Sequence, residues 1–187
     1  MAAEFRHVDV AEATARLDIL GAELGDLTHL PPAGRAQRLV GFLDGQVGLR
    51  MRPERDPEGL MLDRVLADRS GHPLALAVLH VAIARRSGLE LFPVACGDLL
   101  LLADRSGDRP VVIDPVPGGR RLDRELGWVC PHVVAKMLLD AIGSLHLERG
   151  DLPRAIRAAE LRLKLPLDPR TRERHLTALR GLHARLN

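Results

Sequence analysis

Residues 73–86, PLALAVLHVAIARR, are apolar on every side of a helix, with His80 as the one polar interruption before the closing arginines. A helix with no polar stripe cannot lie on a surface, so it must run through the middle of the fold with everything else arranged around it. Its ends are marked: Pro73 opens it, Arg85 and Arg86 complement the C-terminal dipole, and Gly88 stops it. The segment is too short and too interrupted by His80 to span a bilayer. At 187 residues the chain has room for one ordinary domain with a small helical appendage around such a helix. Three Phe, one Trp and no Tyr leave the core to aliphatic residues. They also exclude an aromatic stacking platform of the kind that binds single-stranded nucleic acids.

Charge and cysteine usage narrow the setting. The net charge is +2, and the 27 basic residues are all Arg except Lys136 and Lys164. Residues 131–187 carry 11 basic and 6 acidic groups, so the C-terminal part is basic and the rest slightly acidic. Arg154, Arg157, Arg162, Arg170, Arg172 and Arg174 would contact an acidic partner or RNA, but a solvated arginine face is the default for such a pattern, and nucleic acid is not the expected partner. Cys96 and Cys130 form no CxxC pair and no disulfide framework, which fits a reducing compartment. The N-terminus, MAAEFRHVDV, has no apolar signal core, so the expected location is the cytoplasm, without membrane contact.

Along the chain, Asp9 and Glu12 start a first helix that runs to about Leu24. After HLPP a second helical pattern carries Ala36, Leu39, Val40 and Leu43 and ends between Gly45 and Gly48. Asp56 and Pro57 form a cap and first-turn pair, predicting a third helix over 58–68, and RSGH at 69–72 breaks it before the central helix. The period then changes. LELFPVAC, LLLLA and VVID read as three short strands of an antiparallel meander, separated by Gly97-Asp98 and by DRSGDRP. From Pro131 the pattern is helical again, with restarts at Asp151 and at Asp168-Pro169. The fold class expected is α+β: a domain over 1–130 and a three-helix tail over 131–187.

A buried helix followed directly by antiparallel strands is the core of the papain-like and transglutaminase-like acyl-transfer proteins. DPEGLMLDRVLADRSGHPLALAVLHVAIARRSGL, then CGDLLLLA, then VVIDPVPGGRRL resemble the successive signatures of the SirB-type transglutaminase-like family. The tail, LHLERGDLPRAIRAAELRLKLPLDPRTRERHLTALRGLHARL, resembles that family's tetratricopeptide-like helices, with Gly150-Asp151, Ala155, Ala159 and Asp168-Pro169 at the packing and turn positions. The resemblance implies a catalytic Cys at the first turn of the central helix, a His on one strand and an Asp on the next, the helix dipole and the His together activating the thiol. This chain departs from that pattern. Pro73 stands where the nucleophile would fall, Asp98 where the family writes His, and only Asp114 keeps its place.

Replacement chemistry is conceivable from the residues present. His72 precedes the central helix, and Asp98 and Asp114 would face it from adjacent strands; one imidazole and two carboxylates form a metal set or an acid/base pair. Against that, His72 reads as a simple N-cap, Asp98 as a turn residue, and Asp114 as a turn-former accepting backbone N–H groups. Cys96 shares a strand face with position 98, but a Cys there is commonly a small buried apolar residue. His80 reads as a hydrogen-bonded core histidine, and Trp128 and Cys130 as packing between body and tail. Arg120 and Arg121 would line the mouth of the groove. The functional expectation is a pseudoenzyme, without cofactor or metal, that binds a protein or peptide partner or a small ligand and could form a homodimer. The alternative is an enzyme with rebuilt chemistry at His72, Cys96, Asp98 and Asp114, which requires those four side chains to converge on one pocket.

Overall fold

A computed structural model describes residues 8–52, 56–96, 99–116 and 125–186. Asp9 caps the first helix, α1 (Val10–Leu24), its carboxylate accepting the Glu12 N–H at 2.9 Å. α2 (Pro32–Gly41) begins on a proline and continues without a break into a π-helical turn, Phe42–Val47, which Gly48 ends in the left-handed conformation. The π turn has no periodicity of its own, which is why the sequence reads as one helix fading towards Gly48.

The helix expected over 58–68 is divided. A 3₁₀ turn, Pro57–Leu60, comes first; Met61 is extended; α3 (Leu62–Asp68) follows. The Gly59 carbonyl accepts the His72 N–H at 2.8 Å, and a continuous helix would need that same acceptor for its own amide four residues on. Two residues on each side of α3 also pair as parallel strands, β1 (Arg50–Met51) with β2 (Ser70–Gly71), which no local pattern announces.

The central helix is α4 (Pro73–Arg86), and Pro73, Leu74, Ala75, Leu76, Ala77, Leu79, His80, Ile83 and Ala84 are all buried. α1 crosses it so closely that a Cβ on Gly21 would fall 2.4 Å from the Cβ of Arg86. The Arg86 guanidinium then bonds the Asp18 carboxylate at 2.6 Å, and the Ser87 hydroxyl donates to the Gly21 carbonyl at 3.1 Å. Gly88, at φ +74°, turns the chain out of α4 where a Cβ would strike the Thr28 methyl at 2.6 Å.

The meander is present as β3 (Leu91–Cys96), β4 (Leu99–Asp104) and β5 (Val111–Ile113). β6 (Gly127–Trp128) adds a fourth strand against β3, giving the antiparallel order β5-β4-β3-β6. Leu91, Leu100, Leu102 and Ile113 join the main core with α4. Val94, Cys96, Leu101 and Ala103 form a second apolar cluster, and strand alternation puts it on the opposite face of the sheet.

Three helices close the chain: α5 (Pro131–Glu148), α6 (Leu152–Leu163) and α7 (Pro169–Ala184), the last two capped by Asp151 and Asp168. α5 contributes Val134, Leu138, Leu139, Ile142 and Leu145 to the same core as α4, α6 adds Ala158, and α7 buries nothing. The architecture is therefore α+β, with α5 forming one wall of the body. The expected packing role of Trp128 and Cys130 is corrected: both are exposed, and Val129 between them is the residue that packs on the core. Trp128 instead stacks under the Arg105 guanidinium, 4.6 Å from its ring centroid, with the Phe92 ring at 5.3 Å from the same group. Among the described residues no helix is long and apolar enough to cross a membrane.

Candidate functional site

The place where the resemblance puts the chemistry is the start of α4. His72 holds an extended conformation (φ −65°, ψ 145°), and its Nδ1 accepts the Leu74 N–H at 3.1 Å. Its backbone is tied on both sides, the N–H donating to the Gly59 carbonyl and the carbonyl accepting the Leu76 N–H at 3.0 Å. An Nδ1 that accepts carries no proton, so in this arrangement the ring is a cap in its Nε2–H tautomer. Pro73 follows at the first helical position, buried, where its missing N–H costs the helix nothing. The first turn of α4 is thus closed by the His72 cap and the Pro73 ring.

The strand residues sit as follows. Asp114 comes immediately after β5, and its Oδ1 accepts the Val116 N–H at 2.9 Å, a local turn of the kind Asp makes with its own backbone two residues on. Its charge also reaches His80, the buried histidine of α4. Burial pushes His80 down to about 4, opposed by the Leu76 carbonyl, 2.8 Å from its Nδ1, and by the Asp114 carboxylate. The strand pattern does not announce that pairing, although His80 lies seven residues after Pro73 and hence on the same helical stripe, about 10 Å along the axis. Cys96 is buried among Val94, Leu101 and Ala103, with the side of the sheet that carries Leu100 and Leu102 turned to α4 instead.

Asp98, Arg120 and Arg121 lie outside the described residues. The metal set His72, Asp98 and Asp114 therefore includes one such residue; among the described residues no three His, Cys, Asp or Glu side chains gather to hold a metal ion. In the tail, three of the six arginines of that face pair with carboxylates of α5, α6 or the α6 cap. Arg154 pairs with Asp151 at 2.6 Å, Arg157 with Glu160 at 3.2 Å, and Arg162 with Asp140 across to α5. Asp140 also receives Lys136 at 2.7 Å. Partial burial pushes its pKa up, but those two cations outweigh it and the net shift is downward.

Known proteins bear on these positions. The family described as "Transglutaminase-like superfamily" matches residues 10–155. A "UPF0162 protein" of Xylella fastidiosa, strain Temecula1, is 39% identical over 70 residues, covering 37% of this chain and 25% of the relative. The protein of the same name from strain 9a5c matches to the same extent. The matched stretch thus spans about a quarter of the length of these curated relatives. No solved structure matches the chain. With a match running from α1 through the central helix and the sheet into α6, the chain belongs to the transglutaminase-like superfamily.

Proposed function

We propose that this chain is a non-catalytic, SirB-type member of its superfamily: a cytoplasmic pseudoenzyme whose old cleft and tetratricopeptide-like tail bind a protein, a peptide or a small ligand. The observation that carries the reading is Pro73 at the first turn of α4. Thiol acyl transfer needs a thiolate there, stabilised by the helix dipole, and proline supplies no nucleophile. Two further placements support it. The His72 ring spends its Nδ1 on the Leu74 N–H, and the Cys96 thiol belongs to an apolar cluster on the sheet face turned away from α4.

The test is an acyl-transfer and amide-hydrolysis assay on the purified protein, using a glutamine-containing peptide with a labelled primary amine, and a peptide amide alone. The expected result is no turnover above buffer. Turnover that survives Cys96→Ser combined with Cys130→Ser overturns the reading in favour of rebuilt chemistry without a thiol. Turnover abolished by Cys96→Ser alone overturns it in favour of a displaced nucleophile.

A further inference from the structure

β5 is an end strand of the sheet. In the order β5-β4-β3-β6 it pairs with β4 alone. Among the described residues, the backbone of Val111, Val112 and Ile113 makes no hydrogen bond beyond those of that pairing. Alternate N–H and C=O groups of such a strand point away from its one neighbour and are open to a further strand.

Beside this edge runs a groove of about 620 Å³ whose other wall is α2 and the π turn. Ala33, Gln37, Gly41 and Asp44 recur along it at helical spacing. The first three are exposed and Asp44 is half-buried, so this wall offers surface to a ligand. A Cβ added to Gly41 would meet no heavy atom within 4 Å. Across the groove, Val111 and Val112 are half-buried. From Ala33 to Asp44 the stripe is about 16 Å long at the helical rise, the span of roughly five residues of extended chain.

The charged side chains of the lining are Asp44 and Asp114, with no cation among them. Asp44 carries the argument. Among the described residues its carboxylate has no hydrogen bond and no ion pair; Arg50 bonds only its backbone carbonyl, at 2.7 Å. Burial pushes the Asp44 pKa up against the through-space pull of Arg50, so its charge is incompletely compensated where it stands. A second copy of this chain is a poorer occupant, because it would bring the same acidic lining to meet itself. Pro110 and Asp114, at the two ends of β5, are also residues of the kind that keep an edge from pairing with its own copy.

We propose that β5 and α2 dock an extended segment of a partner protein, which adds a strand to the edge of β5 and presents a lysine or arginine to Asp44. Neither His72 nor Cys96 lines the groove. Turnover in the acyl-transfer assay would therefore overturn the non-catalytic reading and leave this docking in place, and loss of the docking would leave that reading untouched.

Fluorescence anisotropy on the full chain tests it, with a labelled, end-blocked heptapeptide of alternating threonine and valine around one central arginine. Saturable one-to-one binding is expected. Replacing the arginine by glutamate should weaken it at least about tenfold, through loss of one charge-assisted contact. N-methylation of one alternate set of peptide amides should weaken it about tenfold and methylation of the other set by less than about twofold, because only one set faces β5. Asp44→Asn should abolish the preference for arginine over glutamine at the central position. Gly41→Leu should bind at least about tenfold more weakly while melting at or above the wild-type temperature, because leucine fills the groove and suits a helix better than glycine. Absence of saturable binding, equal affinity for the glutamate peptide, equal effects of the two methylated sets, or wild-type affinity in both variants would overturn the proposal. Self-association that Gly41→Leu dissolves would overturn it as well, by placing a second copy in the groove.

Discussion

α4 and α7 begin in the same way and end up in opposite surroundings. Each opens on a proline preceded by a side-chain cap, His72 accepting from Leu74 in one and Asp168 accepting from Thr171 in the other. α4 buries nine of its residues and α7 none. Caps and prolines decide where a helix starts, while the spread of apolar residues around its axis decides whether the fold closes over it. The stability of the two helices should differ accordingly.

Truncation gives the largest expected contrast. Leu76→Ala, at a site with 0% exposure, should cost about 2–5 kcal/mol in chemical denaturation, since it leaves a cavity on all sides of a packed helix. Leu179→Ala in α7 should cost less than about 1 kcal/mol, because that face is only half covered. Equal losses would mean that α7 is held far more tightly than its burial indicates.

The next contrast is with pH. His80 is held at about 4 by burial, against an ordinary value of 6.5. Below 6.5 the unfolded chain takes up a proton that the folded chain refuses, so His80 lowers stability as the pH falls from 6.5 to 4; above 6.5 it contributes no pH dependence. The loss is of order 3 kcal/mol across that window. Denaturation of the wild type and His80→Gln at pH 7, 5.5 and 4.5 should show the variant with the flatter dependence, and parallel curves would remove His80 from the account. No comparable slope should arise from α7, where His175 is also shifted down by burial but remains close to solvent.

Smaller still is the contrast between engineered thiols at the two first turns. In a Cys130→Ser background, Pro169→Cys should alkylate with iodoacetamide at least about tenfold faster than Pro73→Cys. The two thiols experience similar dipoles, but only the first is accessible. Similar rates would reveal an open path to the start of α4. Smallest of all, Asp168→Ala should speed amide exchange in the first turn of α7 while leaving the global denaturation midpoint unchanged, as removal of a cap on a peripheral helix should.

The same two helices show what could be read from residues alone. α4 is legible because no surface would tolerate it, and α1, α6 and α7 because Asp9, Asp151 and Asp168 mark their starts with a carboxylate. The π turn is not legible because it has no periodicity of its own, and the split at Met61 and the strands β1, β2 and β6 are not because each exists through partners distant in sequence. Gly59 gives its carbonyl to His72, Arg52 N–H bonds Gly71, and Val129 N–H bonds Pro93. At the candidate site the local roles of His72 as a cap and Asp114 as a turn-former could be read from their neighbours. The influence of Asp114 on His80 could not, since it depends on how β5 is laid against α4. The face of Cys96 was equally hidden: β4 is apolar on both sides, so alternation assigns residues to two faces without saying which one meets the helix.

The junction at α5 has a mechanical consequence. Because Leu138, Ile142 and Leu145 belong to the same core as α4, tension applied at the C-terminal end would be borne in stages. α7, which has no buried anchor, would peel away first, whereas α6 is held by its buried Ala155, Ile156, Ala158 and Ala159 and by the Arg162–Asp140 pair to α5. The force would then meet the α5–α6 pair, and there it could no longer be relieved by detaching a peripheral helix, only by opening packed surface. α7 thus behaves as an extensible lead, and the α5–α6 pair is the point where a pull becomes an unfolding event.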